Sequence, residues 1–368
     1  EEPYMGNAIK DRYNYESLRK LALDIKSVYS DFQTDGFLQA TIDETWEARE
    51  LKDRITRISE NLGKYLPADF ETAVGIMDQI VMNYGSWLDN YAGFFPGFVE
   101  LYGRDEANWD ISMAALARYT QYASSEFAVR WFIINHEERM MKQMYAWSKD
   151  ENECIRRLAS EGCRPALPWG QALTGFKKDP APILPILRQL KADSSLHVRK
   201  SVANNLNDIS KTHPDLVMEL AKDWYGKNAY TDWIVKHGCR TLLKKGSSEV
   251  LALFGYECAP SVEVQDFRLG ETAISIGEDV TFSFEILAEE ASKIRLEYGI
   301  DYVKASGKRN RKLFKISEIS LGKNERKAYK KKHSFADVGV RKHYPGIHSI
   351  ALIVNGTERD TRDFRLNP

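Results

Sequence analysis

Leu196-His197-Val198-Arg199-Lys200-Ser201-Val202-Ala203-Asn204-Asn205-Leu206-Asn207-Asp208-Ile209 is the stretch whose spacing decides the fold. Val198, Val202, Ala203, Leu206 and Ile209 recur at three and four positions and so fall on one helical face. Lys200, Asn204 and Asp208, spaced by four, form a polar stripe on another. Asp193 and Ser194 are candidate N-caps, and His213-Pro214 stops the helix before a partner over Asp215 to Trp224. Cys154-Ile155-Arg156-Arg157-Leu158 and Trp233-Ile234-Val235-Lys236-His237 share its plan. Arg157 to Arg199 is 42 residues and Arg199 to Lys236 is 37, near the roughly 40 to 47 of HEAT and armadillo repeats. The same periodicity runs from about Tyr15 to Phe254, so this part is expected to be an all-α helical repeat solenoid.

Beyond Gly255 the period becomes strictly alternating. Val280, Phe282, Phe284 and Ile286 mark one strand, and Ile294, Leu296, Tyr298, Ile300 and Tyr302 another. Asn355-Gly356 after the apolar run Ile347 to Val354 is a two-residue hairpin signal. Seven or eight short strands fit the remaining length, and Tyr344 before a strand resembles the tyrosine corner of immunoglobulin-like sandwiches. The expected division is an all-α domain over 1–258 and an all-β, Ig-like sandwich over 259–368. A chain of 368 residues is long for one core, since domains average roughly 150 residues, so two domains agree with its length.

The composition, 43% hydrophobic and 29% charged, describes a folded, soluble chain. Its longest apolar runs, Gly93 to Val99 and Ile347 to Val354, fall short of the roughly 20 residues a spanning helix needs, and no signal-peptide pattern opens it. A cytoplasmic protein with no membrane contact is expected. Cys154, Cys163, Cys239 and Cys258 form no C-x-x-C or Cys/His pattern, so they are expected to be reduced and structural, with no metal. The 52 Lys+Arg against 53 Asp+Glu would by themselves speak against a nucleic-acid partner. The charge is separated, however. Residues 261–368 hold 20 basic and 16 acidic residues, and 302–342 alone hold 14 against three. Lys308, Arg309, Arg311 and Lys312 follow Gly307 and are read as a basic hairpin loop able to follow a phosphate backbone. Lys327, Lys330, Lys331 and Lys332 lie along a strand, where lysines ordinarily guard an edge.

No G-x-S-x-G, Walker A, G-x-G-x-x-G or H-E-x-x-H pattern is present, and no cofactor is implied. Carboxylates remain. Glu161 precedes Gly162, a natural helix stop, and Asp208 sits in the last turn of its helix, so both oppose the helix dipole. As equivalent positions of stacked repeats they would stand about 8 to 10 Å apart, leaving room for a sugar. Glu126 opens a helix carrying Phe127, Val129, Trp131 and Ile134. Trp169 projects from a Pro165/Pro168-stiffened loop beside Arg157 and Arg164, which suits a planar cationic ligand gripped near a phosphate.

Four segments carry a family likeness: Phe95-Pro96-Gly97-Phe98-Val99-Glu100-Leu101-Tyr102-Gly103, Ser125-Glu126-Phe127-Ala128-Val129-Arg130, Ala159 to Trp169, and Val198 to Asp208. Together they resemble the HEAT-like-repeat DNA alkylation repair glycosylases, the AlkC branch more than the AlkD branch, with an Ig-like domain that only some members carry. The resemblance implies excision of positively charged N-alkylated bases such as 3-methyladenine and 3-methylcytosine from double-stranded DNA, as part of base excision repair, by hydrolysis of the N-glycosidic bond. It places Glu126, Glu161, Trp169 and Asp208 at the catalytic site. Arg157, Arg164, Arg199 and Lys200 on the helices, with Lys308, Arg309, Arg311 and Lys312 on the sandwich, are the expected DNA contacts. A monomer with no obligate protein partner is expected. The competing reading is a non-catalytic scaffold that binds DNA or protein, since fold alone does not make an enzyme.

Overall fold

A computed structural model describes residues 9–85, 92–257, 260–338 and 342–368. Six helices come first: α1 (Tyr15–Val28), α2 (Thr34–Thr41), α3 (Leu51–Tyr65), α4 (Phe70–Ile80), α5 (Phe94–Tyr102) and α6 (Trp109–Tyr119). Then follow α7 (Val129–Asn135), α8 (Glu137–Trp147), α9 (Glu153–Glu161), α10 (Thr174–Lys178), α11 (Leu184–Leu190), α12 (Leu196–Ile209), α13 (Pro214–Trp224) and α14 (Ala229–Gly238). Two short helices, α15 (Arg240–Lys244) and α16 (Ser248–Leu253), precede the strands. No helix of the described residues is long and apolar enough to cross a membrane.

The repeat helices α9, α12 and α14 lie side by side, with α12 in the middle. The repeat register differs by one residue from the expected Arg157–Arg199 match. Arg156 Nη1 donates to the carbonyls of Asp150 and Glu151 at 3.0 and 2.7 Å, and Arg199 Nη1 donates to those of Asp193 and Ser194 at 2.8 and 2.7 Å. The caps repeat as well: Asn152 N–H donates to Asp150 Oδ1, and Ser195 N–H to Asp193 Oδ1, each at 2.8 Å. Arg156 therefore aligns with Arg199 and Arg157 with Lys200, while Glu161 aligns with Asn204 rather than Asp208. The N-cap of α12 is Ser195, whose hydroxyl accepts from the His197 and Val198 N–H groups. Asp193 instead braces the neighbouring repeat by pairing with Arg156 at 2.7 Å.

The α9–α12 contact is polar at its centre. Ser160 Oγ and Ser201 Oγ lie 2.7 Å apart, and Asn205 Nδ2 donates to the Ser160 carbonyl at 2.9 Å. The paired hydroxyls and the Asn205 amide donor would lose their buried partners on any slip, so this contact fixes the register of the two helices. Glu161 and Asp208 follow directly after it on their respective helices. The polar stripe of α12 is not uniformly exposed: Lys200 is exposed, Asn204 half-buried and Asp208 buried.

The strands form two sheets. β1 (Val262–Leu269), β3 (Asp279–Ala288) and β6 (Glu325–Ser334) make one in the order β1-β3-β6. β2 (Ala273–Ser275), β4 (Ser292–Val303), β5 (Arg309–Leu321), β7 (Gly346–Val354) and β8 (Thr357–Asn367) make the other in the order β2-β8-β7-β4-β5. All pairings are antiparallel except β2 with β8. Val280, Phe282, Phe284 and Ile286 of β3 face Ile294, Leu296, Tyr298 and Ile300 of β4 in one core. Tyr344 departs from a tyrosine corner: its carbonyl, 3.0 Å from His348 Nε2, makes the local contact.

Compactness divides the chain elsewhere than at the helix-to-strand change, where Cys258 and Ala259 lie outside the described residues. One unit runs to Thr212 and takes in Trp224–Gly238; the other joins His213–Asp223 to Cys239–Pro368. Within the second unit the Asn355-Gly356 turn ties the segment before β1 to the sandwich. Both residues have positive φ, 46° and 78°, as a two-residue hairpin of this type requires, and a Cβ on Gly356 would lie 3.0 Å from Gly246 Cα. Asn355, 1% exposed, accepts from the Arg295 N–H at 2.7 Å and donates to the Glu257 and Lys293 carbonyls at 2.9 and 3.1 Å. The segment before β1 is thereby stitched to β4. Asn355→Ala strands these buried backbone groups and keeps a left-handed residue, so the sandwich should lose about 3 kcal/mol. A urea midpoint unchanged from the parent protein would contradict this.

Candidate active site

A cleft of about 540 Å³ is lined by α3, α5, the turn before α7, α9 and the loop after it. Glu126 sits in that turn rather than in the first turn of α7, whose N-cap is Ala128. Ser124 Oγ donates to Glu126 Oε2 at 2.8 Å, and Arg157 Nη1 lies 2.8 Å from the same oxygen. Glu161 ends α9. Gly162, which follows it, keeps a right-handed φ of −62°, so it does not stop the helix by adopting the left-handed conformation. Its need is space: a Cβ there would lie 2.6 Å from Val129 Cγ2 and 2.7 Å from Met144 Cε.

The acids are strung on cations. Arg157 Nη2 lies 3.7 Å from Glu161 Oε1, and Arg164 Nη1 donates to that oxygen at 2.7 Å. Arg164 Nε donates to Asp208 Oδ2 at 2.9 Å, and Lys211 Nζ to Asp208 Oδ1 at 2.9 Å. The order is Glu126, Arg157, Glu161, Arg164, Asp208, Lys211, alternating in sign. Burial opposes the charge of Arg164, yet Glu161 and Asp208 outweigh it and hold its pKa above the ordinary arginine value.

Glu126, Arg157, Glu161, Arg164 and Trp169 line the cleft together. Asp208, 4% exposed, is not part of the lining and reaches it through Arg164. Trp169 is 69% exposed at φ 61°, a left-handed conformation that a bulky residue adopts only under constraint. Its loop begins at Arg164, as the two prolines suggest.

The expected DNA contacts are placed unevenly. Lys200 is exposed on α12. Arg199 is committed to the carbonyls of its own repeat turn, and its guanidinium lies 4.1 Å from the Tyr230 ring centroid. On the sandwich only Lys308 belongs to the turn, closed by Lys304 N–H donating to the Lys308 carbonyl at 2.8 Å. Arg309, Arg311 and Lys312 instead open β5, because their alternation continues the strand. Arg309 Nη1 donates to Ser349 Oγ at 2.9 Å. Arg311 is held by Asp301 through two bonds of 2.8 and 2.7 Å and by Glu358 at 2.5 Å.

Three cleft groups escaped the sequence reading. Lys52 of α3 lies with its Nζ 4.7 Å from the Phe127 ring centroid, and burial pulls its pKa down. Glu100 of α5 has its pKa raised by burial, with Arg104 and Lys52 opposing. No local pattern distinguishes these two from surface charges. Trp131 also lines the cleft, and the Arg104 guanidinium lies 4.6 Å from its ring centroid. The neighbouring His197 stays neutral near neutral pH, its pKa brought to about 4 by burial and by Arg157. Cys163 is fully buried, and burial pushes its thiol up to about 12, as befits an unreactive structural cysteine.

Comparison with known proteins places the chain in a family. The family described as DNA alkylation repair enzyme matches residues 107–242, and the C-terminal Ig-like domain of the uncharacterised protein YhaZ matches residues 263–368. The chain is 46% identical over 359 residues to uncharacterized protein YhaZ of Bacillus subtilis (strain 168), spanning 97% of this chain and 99% of that protein. It also superposes, with a TM-score of 0.94 and 36% identity over 98% of this chain and 100% of the other, on Pseudomonas fluorescens alkylpurine DNA glycosylase AlkC bound to DNA containing an abasic site analog. The chain belongs to the DNA alkylation repair enzyme family, as an AlkC-type member with a C-terminal Ig-like domain.

Proposed function

We propose that this protein is a DNA glycosylase that excises positively charged N-alkylated bases, 3-methyladenine and 3-methylcytosine among them, from double-stranded DNA. The observation that carries the reading is the row of three acids alternating with Arg157 and Arg164, two of those acids lining the cleft that also displays Trp169. An alkylated base is already cationic, so it departs with the electron pair of the C1′–N bond as a neutral molecule, and no general acid is required. The positive charge passes to the deoxyribose. Fixed carboxylates in a partly dried site stabilise that oxocarbenium far more than they stabilise the ground state.

Glu126 and Glu161 supply this field and contact the cationic base. Trp169 packs on the sugar or base and excludes water, with its ring face also favouring the cation. Asp208 orients the attacking water and takes its proton as the C1′–O bond forms, leaving an abasic sugar and the free base. At rest both oxygens of Asp208 are occupied by Arg164 and Lys211. Lys211 is the half-exposed partner, so a DNA phosphate that draws it away releases one oxygen for water. Arg157 answers phosphate in the same way and unmasks Glu126. Lys211 and Arg157 thus cover the acids without DNA and uncover them when DNA arrives.

On the sandwich, Lys308 and the turn it closes supply further phosphate contacts, with Lys312 beside them. Arg311 acts differently: its fork is spent on Asp301 and Glu358, so it braces the base of the hairpin.

Asp208→Asn keeps the shape of the side chain and removes its basicity. Single-turnover release of 3-methyladenine should fall on the order of 10² to 10³-fold, as for loss of one preorganised catalytic group; an unchanged rate would remove Asp208 from the mechanism. Lys308→Gln should lower the slope of log affinity against log salt by about one, whereas Arg311→Gln should leave the slope alone and lower the melting temperature of the sandwich. Equal slopes for the parent and Lys308→Gln proteins would dismiss the contact.

A further inference from the structure

Arg130 lies in α7, four residues beyond Glu126, and is 1% exposed. Its neighbours Val129, Phe132 and Ile133 are buried apolar residues. A guanidinium in such surroundings is tolerated only where its donors are met. No acid meets them. Nε donates to the Gln171 carbonyl at 2.6 Å, and Nη1 donates to the carbonyls of Gly162 and Arg164, both at 3.0 Å. Nη2 has no partner among the described residues, so the side chain is committed to these three carbonyls.

The three carbonyls bracket Trp169. Two lie at the start of its loop and one just after it, so a single planar fork ties both ends together. Inside the bracket the Gly170 N–H donates to the Leu167 carbonyl at 3.0 Å, and just beyond it the Leu173 N–H donates to that of Pro165 at 3.2 Å. Gly170 leaves room for both the turn and the clamp, since a Cβ there would lie 3.1 Å from Leu167 Cβ and 3.2 Å from Arg130 Nε. An exposed tryptophan in a left-handed conformation would otherwise relax toward an ordinary backbone and fold onto the surface. A fixed fork with several donors suits this task, and a lysine, with one flexible ammonium, cannot span the same carbonyls.

We propose that Arg130 is the positioning residue of the active site: by clamping the backbone on either side of Trp169 it holds that ring presented to the cleft, and it touches no substrate itself. This rests on the reading of Trp169 as a site residue. Arg130 therefore acts through Trp169, and its loss should be felt mainly where Trp169 is present.

The test uses the full chain with 5-fluorotryptophan in place of its eight tryptophans, the Trp169 signal being assigned with Trp169→Phe. In Arg130→Met the Trp169 fluorine resonance should move or broaden while the other seven keep their positions. Excision should fall about 10- to 100-fold, the scale for a catalytic group displaced by an ångström or so. In a Trp169→Ala background the same substitution should cost less than about threefold, because two residues acting as one unit are not additive. Arg130→Lys should fall between parent and Arg130→Met on both readouts. An unmoved Trp169 resonance, or a full multiplicative loss on top of Trp169→Ala, would overturn the proposal. So would collapse of all eight resonances in both variants, which would make Arg130 a general element of the core. A displaced Trp169 with undiminished excision would uphold the clamp and contradict the placing of Trp169 in the site.

Discussion

The rest of the site depends on one buried cation. Arg164 holds Glu161 with one nitrogen and Asp208 with another, at 2.7 and 2.9 Å, across two helices that are not neighbours in sequence. Two carboxylates at the ends of adjacent helices face an unfavourable dipole and each other, and this shared partner gives each a short ion pair out of water. Removing it would leave two poorly solvated anions, which costs more than the pair itself contributes. The polar α9–α12 contact through Ser160, Ser201 and Asn205 serves the same end from below, because any slip of the helices would break Arg164 away from one acid.

Much of this architecture was legible in the sequence. The apolar spacing of Val198, Val202, Leu206 and Ile209 defines α12, the alternation of Val280 to Ile286 defines β3, and Asn355-Gly356 defines the β7–β8 turn. Each is a local pattern whose cause is local. The repeat register was not legible from charge alone, because Arg156 and Arg157 are adjacent and only their carbonyl partners show which matches Arg199. Ser195 caps α12 instead of Asp193 for a similar reason: Asp193 has a stronger partner in Arg156, in a different repeat. Gly162 looks like a helix stop and proves to be a packing glycine, a distinction that depends on Val129 and Met144.

The candidate site follows the same division. Glu161 could be named from a helix end, Trp169 from a proline-stiffened loop and Glu126 from the family resemblance, and the three share one cleft. The burial of Asp208 could not be foreseen, since it arises from Arg164 and Lys211 closing over a stripe that is exposed two turns earlier at Lys200. Arg130 did carry a signal: a lone arginine within Val129-Arg130-Trp131-Phe132-Ile133 is costly to bury without a purpose. The basic cluster on the sandwich shows the limit of counting charge. Arg311 adds to the local balance and yet is neutralised by Asp301, opposite it across the β4–β5 hairpin, and by Glu358 of β8.

A balance of 52 basic to 53 acidic residues thus conceals both a segregation between the helices and the sandwich and a close pairing inside the site. Acids held by arginines are suited to a substrate that brings phosphates for the arginines and a cation for the acids. The most direct measurement is release of free base from methylated double-stranded DNA by the intact protein, with unmethylated DNA as the control. The expected result is 3-methyladenine and 3-methylcytosine set free with abasic sites left behind and no release from the control. Tight binding to the methylated duplex with no base released would contradict the assignment and leave a DNA-binding scaffold in its place.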